Sequence, residues 1–194
     1  MAWILAVAAV LTGAAQPSVD GPLTAADGQK VEDAIASIVT NAATPAEALR
    51  TVTITARSVN AFLRFQGAGL LPGGVREPEL QFIDPGRVSG RATINLDEIR
   101  TQQQRGHLDP LRYVSGHVEV LAVVVVQAAN HVGQVAIETV SIGGIPMPPA
   151  VLVELVRYYS RTEQHRGVDI TEPFTLPYAI MELRVENGRV VIEQ

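Results

Sequence analysis

Four histidines, twenty carboxylates and no cysteine are what this 194-residue chain offers for acid/base, nucleophilic or metal chemistry. His107, His117, His131 and His165 stand singly, with no H-x-x-x-H or H-E-x-x-H spacing to bring two imidazoles onto one helical face around a metal. Three of them sit beside glycine or in a turn, where a solvated imidazole is expected. His117 and Glu119 are two residues apart and therefore share a strand face, so an imidazole and a carboxylate can pair there; an ordinary exposed β face has the same spacing. Asp97-Glu98, Glu77 and Glu79 lie in polar edges and loops, where solvation leaves a carboxylate ionised and of little use as a general acid.

Nucleophile and phosphate motifs are missing too. The chain has no G-x-S-x-G elbow, and Val114-Ser115-Gly116-His117 lacks the strand, turn and helix that expose a nucleophile. The glycines between Gly67 and Gly74, and the pair Gly143-Gly144, match neither the P-loop nor the dinucleotide fingerprint. Without cysteine there are no thiolate metal ligands, thiol nucleophiles, disulfides or lipid-modified cysteine. The expectation is a protein that is not an enzyme, with no catalytic residue, no metal and no cofactor.

What must position any site is an apolar chain. Hydrophobic residues make up 47% and charged residues only 18%, below the roughly 25% usual in soluble domains. This composition excludes disorder for most of the chain, and the length suits one domain with a continuous core. The net charge is −5, and the basic residues, nearly all arginine with Lys30 the lone lysine, are scattered singly. No basic face forms, so a nucleic-acid partner is not expected.

Residues 1–15 carry no charged side chain and contain the apolar block Trp3-Ile4-Leu5-Ala6-Val7-Ala8-Ala9-Val10-Leu11, followed by Thr12-Gly13-Ala14-Ala15. The block is too short to span a bilayer as a helix, which needs about 20 residues. It reads as the apolar region of a signal peptide cleaved before Gln16, which places the protein outside the cytoplasm, periplasmic or extracellular. A retained membrane tether, or a segment packed on the domain, is the alternative.

Residues 16–50 form an N-terminal helical segment. Thr24 and Asp27 make a capping pair, and Val31, Ile35, Ile38 and Val39 fall on one helical face. The remainder, residues 51–194, opens with the strand Thr51-Val52-Thr53-Ile54-Thr55, whose last residue caps a helix with Val59, Phe62 and Leu63 on one face. Glu79 to Phe82 and Arg87 to Leu96 alternate as strands. From Val118 to Val126 both parities are apolar, so this strand is to be covered on both faces or exposed to something apolar. The Asn and Gly near Asn130-His131-Val132-Gly133 suit a hairpin turn, and a parity shift between Ile137 and Val140 predicts a bulge. Pro149 opens the strongest helix, striped by Val151, Leu152, Leu155, Val156, Tyr158 and Tyr159. Asn187-Gly188 predicts a type I′ turn in a closing hairpin. The fold class is α+β, a single domain with an antiparallel sheet and two or three helices on one face.

The run Val52-Thr53-Ile54-Thr55-Ala56-Arg57-Ser58-Val59-Asn60-Ala61-Phe62-Leu63 resembles the opening of small bacterial cell-envelope lipid-binding proteins, the LmeA-like proteins, which are similar to the tubular lipid-binding (TULIP-like) superfamily. Gly86-Arg87-Val88, Val140-Ser141-Ile142-Gly143-Gly144-Ile145-Pro146, Phe174-Thr175-Leu176-Pro177 and Gly188-Arg189-Val190-Val191 continue the pattern over residues 51–194. The resemblance implies a strongly bent antiparallel sheet wrapped around amphipathic helices, with acyl chains or another lipid held between. Carried over by position, it makes Phe62, Leu63, Val124, Val126, Leu152, Leu155, Val156, Tyr159 and Phe174 the ligand-binding lining. The implied partners are a lipid or hydrophobic small molecule, a membrane touched transiently, and a homodimer or envelope protein, since one module makes only part of a long tube. The helix at residues 24–39 has no place in that pattern; it either plugs the empty groove or packs on the sheet.

The function so implied is non-catalytic binding of a hydrophobic ligand in a groove between helix and sheet. The alternative is a structural or assembly module of the envelope that holds a protein partner by a sheet edge or apolar helix. A stable copurifying protein without lipid marks the second, and loss of turnover on replacing His117 or Glu119 would mark an enzyme.

Overall fold

The computed structural model describes residues 21–44, 48–83, 85–102, 115–159 and 169–194. The expected leader, residues 1–15, lies outside them, as do His107 and His165. The described chain is α+β, with four helices and two antiparallel sheets.

Helix α1 (Ala25–Ala43) starts where the sequence sets it. Thr24 Oγ1 accepts the Asp27 amide at 3.2 Å, and Asp27 Oδ2 accepts the Thr24 amide at 3.2 Å, a reciprocal capping box. Its buried face differs from the expected stripe: Gly28, Val31, Ala34 and Ile38 are inside, whereas Ile35 and Val39 are 39% and 41% exposed. The reason is its partner, a second helix at close range. α1 packs on α2 (Ala56–Phe65), and a Cβ at Gly28 would stand 2.9 Å from the backbone nitrogen of Phe62. Small residues therefore define the face, and α1 packs as a structural helix with Ile38 in the core.

Strand β1 (Thr51–Thr55) runs straight into α2, whose Ser58 amide donates to Thr55 Oγ1 at 3.1 Å. β1 pairs with β9 (Arg189–Glu193), which pairs with β8 (Glu182–Glu186), giving a three-stranded sheet. The larger sheet has the order β2 (Val75–Ile83), β3 (Arg87–Asn95), β4 (His117–Ala129), β5 (Val132–Ile142), β6 (Ile145–Met147), with β7 (Phe174–Thr175) also on β5. α3 (Leu96–Gln102) follows β3, its start capped by Asn95 Oδ1, which accepts the Asp97 and Glu98 amides at 3.1 Å. α4 (Pro149–Tyr159) follows β6.

In register, Val88 faces Val124, Gly90 faces Ala122 and Phe82 faces Val88. One sheet face thus collects Leu80, Phe82, Val88, Ala122, Val124, Val126 and Ile137. The predicted bulge is present: Val124 opposes Ile137 and Val123 opposes Thr139, leaving Glu138 as the extra residue. A second shift falls between Arg76 and Glu79, where Glu77 takes a left-handed φ of 47° ahead of Pro78.

Both expected hairpins are present, with turn residues that differ in part. The β4–β5 turn is Asn130-His131, with both φ positive at 52° and 64°, while Gly133 lies inside β5. The β8–β9 turn is not type I′, because only Gly188 is left-handed (φ 75°) and Asn187 is not.

The main core fills the angle between the sheets, uniting Ile38 of α1, Leu80, Val88, Val124 and Ala128 of the large sheet, Leu176 and Ile180, and Val185, Val190 and Ile192 of the small one. A second cluster, Ala122, Val123 and Val140, lies under Leu152 of α4. As the apolar parities of β4 imply, Ala122, Val123 and Val124 are all buried.

Candidate functional site

The nine residues expected to line a groove divide between these two clusters. Leu63, Val126 and Phe174 are half-buried and pack against the main core, of which Val124 is a buried member. Leu152 packs on the second cluster. Leu155 and Val156 are half-buried and belong to neither. Phe62 is half-buried with its ring against Gly67. The Tyr159 side chain lies outside the described residues. The structure therefore brings four of the nine together and sets the α4 residues over a separate part of the sheet.

Two features of this face give no sequence signal by type alone. Phe174 reaches it because Gly133 has no side chain: a Cβ there would lie 2.6 Å from Phe174 Cζ and 3.1 Å from Leu176 Cδ2, so the ring occupies the space. Asn60 of α2 closes the outer edge of β2. Its Nδ2 donates to the Leu80 carbonyl at 2.8 Å, and its Oδ1 accepts the Leu80 amide at 2.7 Å, so the carboxamide stands in for a neighbouring strand. The sequence gives little cue, because Asn60 is one of four polar residues on this short helix, with Arg57, Ser58 and Arg64.

Across the opposite face of the large sheet, Arg87 of β3 reaches over β4 to Glu138 of β5, with Nε and Nη2 each 2.9 Å from a carboxylate oxygen. The bulge supplies that glutamate. The carboxylate raises the pKa of the Arg87 guanidinium still further. Glu79 is ion-paired with Arg91 and Glu98 with Arg76. Asp97 Oδ2 accepts the Gly116 amide at 2.9 Å. These carboxylates hold strands and a loop together. His117 and Glu119 are both exposed on β4, and His131 Nδ1 lies 2.9 Å from the Ile180 carbonyl oxygen.

Two aspartates have depressed pKa values. Asp27 is held below the usual carboxylate range by Arg57, Thr24 and Lys30, and Arg57 also donates to the Gly21 and Pro22 carbonyls at 3.1 and 3.0 Å. Asp169 is lowered to about 2 by the Thr171 hydroxyl and amide and by Arg157. Through that ion pair the C-terminal turn of α4 is tied to the segment leading to β7.

Among the described residues no cluster of three or more His, Asp or Glu could hold a metal ion, and no helix is long and apolar enough to cross a membrane. Comparison with family models, with curated proteins and with solved structures finds no match to this chain.

Proposed function

We propose that this chain is an exported, non-catalytic protein, periplasmic or extracellular, that binds a lipid or other hydrophobic ligand on the apolar face of its six-stranded sheet. In this reading the sheet bends around the ligand, with α2 and α4 as walls, as in the envelope lipid-binding proteins it resembles. The two register shifts support the bend, since each bulge sharpens local twist.

One observation carries the proposal: the buried apolar face is ringed by side chains that the described residues cover only in part. Around its buried members, Phe82, Val126, Val135, Ile137 and Phe174 pack against the core and are only partly buried. A domain of this length has enough chain to bury such residues in a closed core. Partly covered apolar surface beside a sheet is where a ligand or partner can seat. Leu155 and Val156 extend the surface along α4 without contributing to either cluster.

A titration with a fluorescent fatty-acid probe tests it. Saturable binding is expected, and Leu155→Glu should weaken it at least tenfold, because a carboxylate must then be desolvated against an acyl chain. Leu155 lies outside both clusters, so circular dichroism of this variant should match the parent. A folded protein that takes up no probe contradicts the proposal.

A further inference from the structure

Asn187-Gly188 is the only Asn-Gly pair in the chain, and it forms the exposed two-residue turn between β8 and β9. In this dipeptide the following backbone nitrogen reaches the side-chain carbonyl most easily, because glycine places no Cβ in its path. No hydrogen bond among the described residues holds the Asn187 carboxamide. The other described asparagines differ. Asn41, Asn60 and Asn95 have hydrogen-bonded side chains, and Asn130 is followed by the bulkier His131.

We propose that Asn187 is a covalent modification site, deamidated when the β8–β9 turn opens and shielded while it is closed. The Gly188 amide nitrogen, having lost its proton to solvent base, attacks Asn187 Cγ. The new N–Cγ bond closes a succinimide, and the carboxamide nitrogen leaves as ammonia after taking up a proton. Water then opens the ring at either carbonyl, giving aspartate or isoaspartate. The balance is Asn plus water to Asp plus ammonia, with no redox partner.

The shield is a pair of hydrogen bonds. The Gly188 amide donates to the Phe82 carbonyl at 2.9 Å, and the Gly188 carbonyl accepts the Ala56 amide at 2.9 Å. The first bond retains the proton that must leave and directs that N–H at the Phe82 carbonyl of β2. Both also join the small sheet to β2 and α2, so the modification acts on the fold. Aspartate adds a charge beside Glu186, whose carboxylate accepts from Arg189 Nε at 2.7 Å. Isoaspartate inserts a methylene into the backbone of a two-residue turn, and Gly188 can then no longer reach both Phe82 and Ala56. Asn187 is therefore an irreversible recorder of turn opening.

The test uses the full chain held in mildly alkaline buffer, folded and in urea. Deamidation is read from the mass gain of the tryptic peptide spanning residues 185–189 and from isoaspartyl methyltransferase labelling. In urea Asn187 should convert faster than every other asparagine. In the folded protein its rate should fall by at least tenfold, and by the same factor as the amide exchange of Gly188, since both need the turn to open. Equal rates in the folded and unfolded chain, or a faster asparagine elsewhere in urea, would overturn the proposal. Asn187→Ser should abolish the signal; label persisting in that peptide would also overturn it.

Discussion

Replacing Asn60 removes the group that closes the open edge of the large sheet. Its carboxamide makes two hydrogen bonds to one residue, Leu80, whose side chain is in the main core and whose backbone N–H and C=O face α2. In Asn60→Ala, water can enter the vacated space and meet both groups, so the loss is the net worth of two hydrogen bonds, about 2 kcal/mol. In Asn60→Leu, a side chain of the same length fills the space and keeps water out. Both backbone groups then carry a desolvation penalty, and the loss rises to about 3 kcal/mol or more. At about 2–4 °C per kcal/mol for a chain of this size, the melting temperature should drop by roughly 4–8 °C for alanine and more for leucine. Urea denaturation with an unchanged m-value is the assay. The leucine variant should also aggregate more readily, because β2 becomes an unsatisfied edge. Stability of Asn60→Leu within about 0.5 kcal/mol of the parent would refute this reading of the edge, and so would alanine being worse than leucine.

Gly28→Ala ordinarily gains about 1 kcal/mol inside a helix; here the Cβ meets the Phe62 backbone nitrogen at 2.9 Å, so a net loss of about 1 kcal/mol or more is expected in thermal melts. Gly133→Ala should likewise destabilise by driving into the Phe174 ring, and a double-mutant cycle with Phe174→Leu should return a coupling of about 1–2 kcal/mol, whereas additive effects would contradict the contact. Asp27 and Asp169 have folded pKa values below their unfolded ones, so their stabilisation is complete above about pH 4 and is lost as pH falls through the folded values, toward about 2 for Asp169. The urea midpoint should therefore fall over that interval, and Asp27→Asn should flatten the slope.

Local instructions in the chain were legible wherever one residue decides one conformation. Thr24 with Asp27, and Thr55, cap the helices that the sequence assigns to them. The alternation of Arg87 to Leu96 gives β3, and the parity break after Ile137 gives the bulge. What stayed hidden depends on partners distant in sequence. Alternation alone does not say that Thr51–Thr55 pairs with the last strand, which makes two sheets where one was expected. β2 begins at Val75, passing Pro78 with a left-handed Glu77, whereas the alternation in the sequence starts only at Glu79. Gly143 and Gly144, with φ of 59° and 78°, turn β5 into β6, a strand of three residues that is too short for alternation to mark. On α1 the expected Val31 and Ile38 are buried, but the close crossing with α2 selects Gly28 and Ala34 beside them in place of Ile35 and Val39. The lining residues are carried over by position from a resemblance, and position in a pattern does not say which cluster each joins.

The ligand itself is the most direct test of the central proposal. The full chain, residues 1–194, purified without detergent, is measured by native mass spectrometry and then extracted with organic solvent. The proposal predicts a folded species heavier than the polypeptide by the mass of an apolar small molecule that the extract releases, and that the stripped protein rebinds. A folded, exported protein with the bare polypeptide mass, an empty extract and no uptake of acyl chains would contradict it.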